Sequence, residues 1–393
     1  MPSHSSRLPS NLTPSVVAEA VAARRRSGAP LFDLTESNPT RVGLAYPPDL
    51  LAPLADPAAL VYDPQPLGLR TARAAVSADF ERRGIRVPDD RVAITASTSE
   101  AYALLFKLLC GPGDQVLVPR PSYPLFEHLT ALEAVEAVPY DLEYHDGWRL
   151  DLDNVRAQVS SRTRAILVVS PNNPTGSYLH QDDLAALVGI AAARDLAIIG
   201  DEVFWDYPLQ RPDTAVSVLA QQDVVAVGLG GLSKSAGLPQ VKLGWFGMSG
   251  PDAQVRALLD AYEIVADTYL SVSTPVQVAA PALIEAGAGM RRAIQARLDR
   301  NLTALGSRIE WYPSVTLLPP EGGWSAVLQV PAYESEEAMV VGLIEREGVL
   351  VHPGYFFDFA REAFLVVSLL PEAGVFDHGL ARVLARMSGA VGR

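Results

Sequence analysis

The residues best placed to do chemistry fall in four short polar clusters: 96–99 (ASTS), 171–176 (PNNPTG), 201–204 (DEVF) and 232–235 (LSKS). Each follows an apolar run of strand length, and in an open parallel sheet ligands sit beyond the carboxyl ends of the strands. Taken singly, each has a plain reading. Asn-Pro-Thr-Gly is turn chemistry, Asp201 can cap a helix, and a lysine such as Lys234 is ordinarily solvated surface. Together they meet the needs of pyridoxal 5′-phosphate. That cofactor requires an amine for a Schiff base, a carboxylate to keep its pyridine nitrogen protonated, and donors for its phosphate. Lys234 can supply the amine and Asp201 the carboxylate. Ser233 and the 96–99 turn can supply the donors, because that turn opens a helix whose free N–H groups and dipole favour a dianion.

The elements that must position these clusters can be read from the apolar pattern. Segments 91–95 (RVAIT), 115–119 (QVLVP), 165–170 (AILVVS), 196–200 (LAIIG) and 224–228 (VVAVG) read as buried strands. Between them, 99–109 and 182–194 carry apolar residues at helical spacing, and Ser97-x-x-Glu100 is a capping-box pattern. Strands apolar throughout and separated by helices predict a mostly parallel sheet covered by helices on both faces. After about residue 270 the texture changes: 273–305 reads as a helix broken near 287–289, and 325–330, 348–352 and 364–369 read as strands of a smaller layer. A helix over 14–25 opens the chain. The expected architecture is α/β, with a large cofactor-binding domain over 46–270 and a smaller α+β domain built from both chain ends, 1–45 and 271–393.

Composition sets the bounds. The 393 residues are 49% hydrophobic and 20% charged, ample for a core. Lys+Arg 32 against Asp+Glu 45 gives −13, a balance that argues against nucleic acid or an anionic membrane as partner. No apolar run is long enough to span a bilayer, and the opening MPSHSSRLPSNLTP has no apolar signal core. Cys110 is alone, which fits a reducing cytoplasm and reads as a core residue. The histidines at 4, 128, 145, 180, 352 and 378 lack metal-ligand spacing, so no metal is expected.

At this point the chain resembles the fold-type I pyridoxal-phosphate aminotransferases of class I/II over roughly residues 30 to 385. The matching motifs, in order, are 62–70 (YDPQPLGLR), 121–126 (PSYPLF), 172–176 (NNPTG), 201–203 (DEV), 233–234 (SK), 242–245 (KLGW), 322–324 (GGW) and 349–354 (VLVHPG). The resemblance implies that Lys234 holds the cofactor as an aldimine and, once displaced, moves a proton between the substrate's Cα and the cofactor. It implies Asp201 on the pyridine nitrogen, Asn173 on the phenolic oxygen and Tyr123 stacked on the ring. Ser97, Thr98, Ser233 and Lys242 hold the phosphate, and Tyr62 reaches the neighbouring subunit's phosphate in a homodimer with shared sites. The implied activity is transfer of an amino group between an amino donor, an amino acid, and a 2-oxo acid. A pyridoxal-phosphate lyase of the carbon–sulfur or β-eliminating type shares these motifs and stands as the alternative. A transcription regulator would need a DNA-binding part and a basic patch, and a retired binder would have little use for both Lys234 and Asp201.

Three departures bear on the site. Lys242 stands where the family has arginine, so the phosphate contact loses its planar fork. Phe204 replaces a tyrosine whose hydroxyl would meet the phenolic oxygen. Val366, in 364–368 (FLVVS), stands where the family carries the arginine that grips the substrate carboxylate through two parallel hydrogen bonds. Either another cation holds that carboxylate or the substrate presents none there. Arg361 precedes the strand. Arg41, just after the Ser37-Asn38-Pro39 turn that the family places beside the substrate, is the candidate replacement, with a surface arginine as the plain reading.

Overall fold

The structure, a computed structural model, describes residues 5–9 and 11–389; residues 1–4 of the opening segment, His4 among them, lie outside it. Helix α1 (Val16–Arg26), strand β1 (Phe32–Asp33) and helix α2 (Arg70–Arg82) come first. There follow β2 (Val92–Thr95), α3 (Thr98–Leu109), β3 (Gln115–Arg120), α4 (Leu125–Leu132), β4 (Glu136–Tyr144), β5 (Trp148–Leu150) and α5 (Leu152–Gln158). Next come β6 (Thr163–Val169), α6 (Gln181–Arg194), β7 (Ala197–Asp201), β8 (Ala226–Gly231), the short α7 (Leu232–Ser235) and β9 (Gly244–Ser249). Helices α8 (Asp252–Asp267) and α9 (Thr274–Ile309) lead into β10 (Thr316–Leu318), β11 (Ser325–Gln329), α10 (Glu336–Gly342), β12 (Val349–Leu350), β13 (His352–Pro353), β14 (Phe364–Ser368) and α11 (Ala373–Met387).

Eight strands form one sheet in the order β2-β9-β8-β7-β6-β3-β4-β5. The run β8-β7-β6-β3-β4 is parallel, and antiparallel pairs close both ends. From β3 the chain steps one way to β4 and the other way to β6, which creates the switch point where open α/β sheets bind ligands. Alternate strand residues feed two apolar layers. Ile198 joins Val76, Phe80, Leu187 and Leu283 on one face, while Ile199 joins Leu105, Phe106, Val255 and Leu259 on the other. Helices therefore cover both faces, as the apolar runs predict.

A second, four-stranded sheet, β10-β11-β14-β13, is antiparallel and packs with α10 and α11 around a separate core. Helix α9 links the two: Ala280 and Leu283 sit in the first core, Ile294, Leu298 and Leu305 in the second. The expected break at 287–289 is absent, and α9 runs unbroken for 36 residues. The reason is packing. A Cβ on Gly287 would lie 2.7 Å from Ala236 Cβ, so the bare glycine lets α9 approach the residue that ends α7. That contact outweighs the roughly 1 kcal/mol a helical glycine costs against alanine. Strands β4, β5, β9 and β10 were not anticipated from the sequence, and the expected strand over 348–352 is split into β12 and β13.

Gly244 does for the start of α3 what Gly287 does for α7. A Cβ there would stand 2.7 Å from Ser97 C and 2.9 Å from Thr98 N, both backbone atoms that cannot swing away. Gly244→Ala is therefore expected to cost about 1–3 kcal/mol, read as a lower urea midpoint at unchanged m-value. Gly189→Ala, inside α6 with open space around its Cα, should instead gain about 0.5–1 kcal/mol. Equal effects of the two substitutions would contradict the packing argument.

Candidate active site

Asp201 is the last residue of β7, and α7, which carries Lys234, begins where β8 ends. Parallel neighbours thus deliver a carboxylate and an amine to the same edge of the sheet. The Asp201 carboxylate accepts the Tyr102 hydroxyl at Oδ2 (2.9 Å) and the Val203 N–H at Oδ1 (3.2 Å). Burial raises its pKa above the ordinary aspartate value, and those two donors and the charge of Lys234 oppose the rise. Lys234 is shifted the other way. Its burial lowers the ammonium pKa to about 8, against the pull of Asp201. Its Nζ lies 4.7 Å from the centre of a Trp324 ring and 5.3 Å from that of Phe204. Tyr207 braces the backbone by donating its hydroxyl to the Lys234 carbonyl (2.5 Å).

The helix-opening turn lies beside this pair. Ser97 caps α3 by accepting the Glu100 N–H (3.1 Å), and the Glu100 carboxylate accepts the Ala96 N–H (2.6 Å), which realises the capping box. The hydroxyls of Thr98 and Ser233 have no hydrogen-bond partner among the described residues. Gly244 seats the Ser97–Thr98 backbone against β9, and Leu232 N–H donates to Leu243 O (2.9 Å), which holds the Lys242 turn against the start of α7. Lys242 is exposed, at φ +61°.

On the far side, Asn173 accepts a hydrogen bond from Ser325 of β11 (3.2 Å). The Tyr123 loop is tied in by its neighbour: Ser122 donates its hydroxyl to Asn172 (3.1 Å) and its N–H to Phe357 O (2.9 Å). The Tyr123 ring is 45% exposed and touches no other ring among the described residues. At the N-terminal turn, Asn38 accepts the Thr40 N–H (3.0 Å) and hydroxyl (2.8 Å), while Tyr46 donates to Gly237 O (2.6 Å). A Cβ on Gly237 would meet Pro39, so this turn abuts the end of the Lys234 segment. Arg41 is exposed, and its guanidinium has no partner among the described residues. Tyr62 is not brought to the cluster within one chain; it is 73% exposed, on the rim of a cleft lined by Gly68, Tyr262 and Gln277.

Val366 lies in β14 opposite Val327 and His352, 1% exposed, packed with Trp148, Phe357 and Phe364. Ser325, which bonds to Asn173, shares its register with Ser368 two residues on, so this face of the small sheet is turned to the site. The face carries no cation. Arg361 stands outside it with its guanidinium 5.4 Å from the Phe364 ring. Sequence reasoning missed Tyr102 and Ser325 as neighbours of Asp201 and Asn173, and it gave Trp324 only as part of the 322–324 motif, not as a neighbour of Lys234.

An amine near half-neutral at pH 8 can attack a carbonyl, since the free base is the nucleophile. The donor set fits pyridoxal phosphate: amine and carboxylate share one end of the sheet, and the Thr98 hydroxyl stands at the N-terminus of α3. The lysine can be tested without the cofactor. Reductive labelling of cofactor-stripped protein with a small aldehyde and cyanoborohydride, followed at Lys234 by mass, should rise with pH to half-maximum near pH 8. Asp201→Asn should move the midpoint lower, because it removes the anion that favours the ammonium. A wild-type midpoint near that of free lysine would mean a solvated amine.

Comparison with known proteins bears directly on this arrangement. A family profile described as "Aminotransferase class I and II" matches residues 64–381. The glutamate–pyruvate aminotransferase AlaA of Escherichia coli K12 is 26% identical over 375 residues, 92% of this chain and 91% of that protein. An alanine aminotransferase of Mycobacterium tuberculosis is 26% identical over 386 residues, 94% and 88% of the two chains. Among solved structures, an aminotransferase from Escherichia coli superposes with a TM-score of 0.86 at 25% identity, covering 99% of each chain. This chain belongs to the class I and II aminotransferases, enzymes that depend on pyridoxal phosphate.

Proposed function

We propose that this aminotransferase moves an amino group from an amino-acid donor to a 2-oxo acid, at sites completed in a homodimer. The observation that carries the reading is the half-buried Lys234 amine, its pKa lowered, near the half-buried Asp201 carboxylate at the end of a switch-point sheet. Relatives named for glutamate–pyruvate and alanine transamination support the substrate class. Pyridoxal phosphate, when bound, supplies the aldehyde that takes up the amine and the ring that draws electrons from the substrate's Cα.

This chain's residues would do the rest. Lys234 would supply the amine that holds the cofactor and, as a free base, would accept the proton from the substrate's Cα. Asp201 keeps a proton on the ring nitrogen. The Ser325 hydroxyl, engaged on Asn173 Oδ1, orients that amide so that its N–H₂ group is free for the phenolic oxygen. Tyr123 supplies a platform for the ring. Ser97, Thr98, Ser233 and Lys242 gather around the phosphate, and Tyr62 of each subunit reaches the neighbouring site. Its exposure, with that of Leu60, Val61, Ile264 and Tyr269, suits a self-complementary dimer surface. Asn38 and Arg41 face the substrate, with Arg41 taking the carboxylate that the uncharged β14 face does not.

The proposal keeps the division into 46–270 and 1–45 with 271–393, supported by the two apolar cores that α9 joins. It also places the enzyme in the cytoplasm on its lone free Cys110. Among the described residues no helix is long and apolar enough to cross a membrane.

Single-turnover spectra test the reaction. α-Amino acids added without an acceptor should convert the cofactor to its amine form, a 2-oxo acid should restore it, and no ammonia should appear. Ammonia release with the cofactor unchanged would give the site to the eliminating lyase. Arg41→Ala should raise KM for the amino acid roughly tenfold or more, the loss of a charged hydrogen bond, with kcat little altered. An unchanged KM would remove Arg41 from the site.

A further inference from the structure

Among the described residues, the one side-chain donor to Asp201 is a residue no sequence motif marks. Tyr102 lies one turn into α3, 2% exposed, its ring held edge-on to Phe126 (5.5 Å between centroids, 77°) and 5.9 Å from Phe106. That packing leaves the phenol one direction to point, and there it meets Asp201 Oδ2 at 2.9 Å. With the Val203 N–H on Oδ1, each carboxylate oxygen has one fixed donor and a remaining lone pair.

We propose that Tyr102 is a positioning residue for transamination: its hydroxyl holds Asp201 ionised and aimed, so that the carboxylate can keep the proton on the cofactor's ring nitrogen. This rests on the role given to Asp201 above. The argument is one of competition for a proton. A carboxylate withdrawn from water without a donor tends to take up a proton itself, and a neutral acid no longer holds one on a facing pyridine. Burial already pushes Asp201 in that direction, and Tyr102 is the first of the influences that oppose it. The phenol stays protonated as donor, because burial and the adjacent carboxylate push its own pKa well above the usual value.

The placement has a second consequence. Thr98 and Tyr102 are four residues apart on one helix, about one turn or 6 Å of rise. The same turn of α3 therefore sets the phosphate-facing hydroxyl and the group that steers the ring-nitrogen partner. Movement of α3 would shift both ends of the cofactor's seat together.

Tyr102→Phe keeps the ring and its packing and removes only the hydroxyl. In the holoenzyme loaded with ¹⁵N-labelled pyridoxal phosphate, the wild-type ring nitrogen should give the protonated shift. Tyr102→Phe should move it towards the unprotonated value, with cofactor dissociation about tenfold weaker and kcat lowered more than KM is raised. In the Asp201→Asn background the Tyr102→Phe change should move neither quantity further. If Tyr102→Phe lowers only the unfolding temperature and leaves the nitrogen shift and cofactor affinity at wild-type values, Tyr102 is structural and the proposal falls. Equal losses from Tyr102→Phe with and without Asp201→Asn would also overturn it. An unprotonated nitrogen in the wild type would remove the role of Asp201 itself, a failure distinguishable from the first because it appears before any substitution of Tyr102.

Discussion

Two adjacent carboxylates stand at the end of β7, Glu202 buried and Asp201 half-buried, and much of the surrounding structure exists to accommodate them. Neighbouring residues on a strand point to opposite faces, so Asp201 turns towards the α3 side and Glu202 towards the α2 side. Glu202 meets Arg83 (2.8 Å), with both side chains almost fully buried at 0% and 4% exposure, and also accepts the Val218 N–H (3.0 Å). Asp201 meets Tyr102 of α3. An unpaired buried carboxylate costs several kcal/mol, so neither helix can drift from the strand end without stranding a charge. The sheet edge that carries the chemistry is clamped from both faces.

The same burial explains why the lysine and the aspartate complement each other. Withdrawal from water pushes both groups towards neutrality, the amine down and the carboxyl up, while each charge favours the ionised form of the other. Aromatic rings, Trp324 and Phe204, flank the lysine without offering a competing hydrogen-bond acceptor. Bare Cα positions make the enclosure small enough to matter. Gly244 admits the start of α3, and Gly287 admits the end of α7. Since Gly287 lies in the helix that spans both cores, the lysine segment is braced against the element that joins the two halves of the core structure.

What the sequence made legible was local: apolar runs of strand length, the capping box at Ser97 and Glu100, and polar clusters placed after strands. From these the α/β class, helices on both faces and a second, smaller sheet could be read. Candidate site residues could be named too, because their motifs are short and their elements regular. The hidden parts were relationships between distant residues. Tyr102 and Asp201 are separated along the chain, and an apolar-facing tyrosine in a buried helix gives no sign of its partner. β9 (GWFGMS) hides behind its glycines, whose meaning is close approach and not a turn. Gly287 and Gly289 suggested a broken helix for the same reason. Propensity registers what a glycine costs in isolation, and only the fold reveals the contact that offsets it.

The uncharged face of β14 moves the question of substrate grip from a strand to a turn. Val366 is packed on all sides, and a carboxylate set against it would lose water and gain no partner. On the proposed reading the anion is met instead at the N-terminal turn, where Asn38 spends its carbonyl oxygen on Thr40 and keeps its N–H₂ group free. Pro39 against Gly237 fixes the turn to the lysine segment, but Arg41 extends from it into solvent, with no partner among the described residues. A strand-borne arginine would arrive pre-oriented by its ladder, whereas this one must surrender the freedom of a long side chain on binding. Carboxylate recognition built this way is weaker for a given contact and more dependent on the rest of the substrate. Selectivity among donors then falls more heavily on the side-chain end of the pocket than on the carboxylate common to all amino acids.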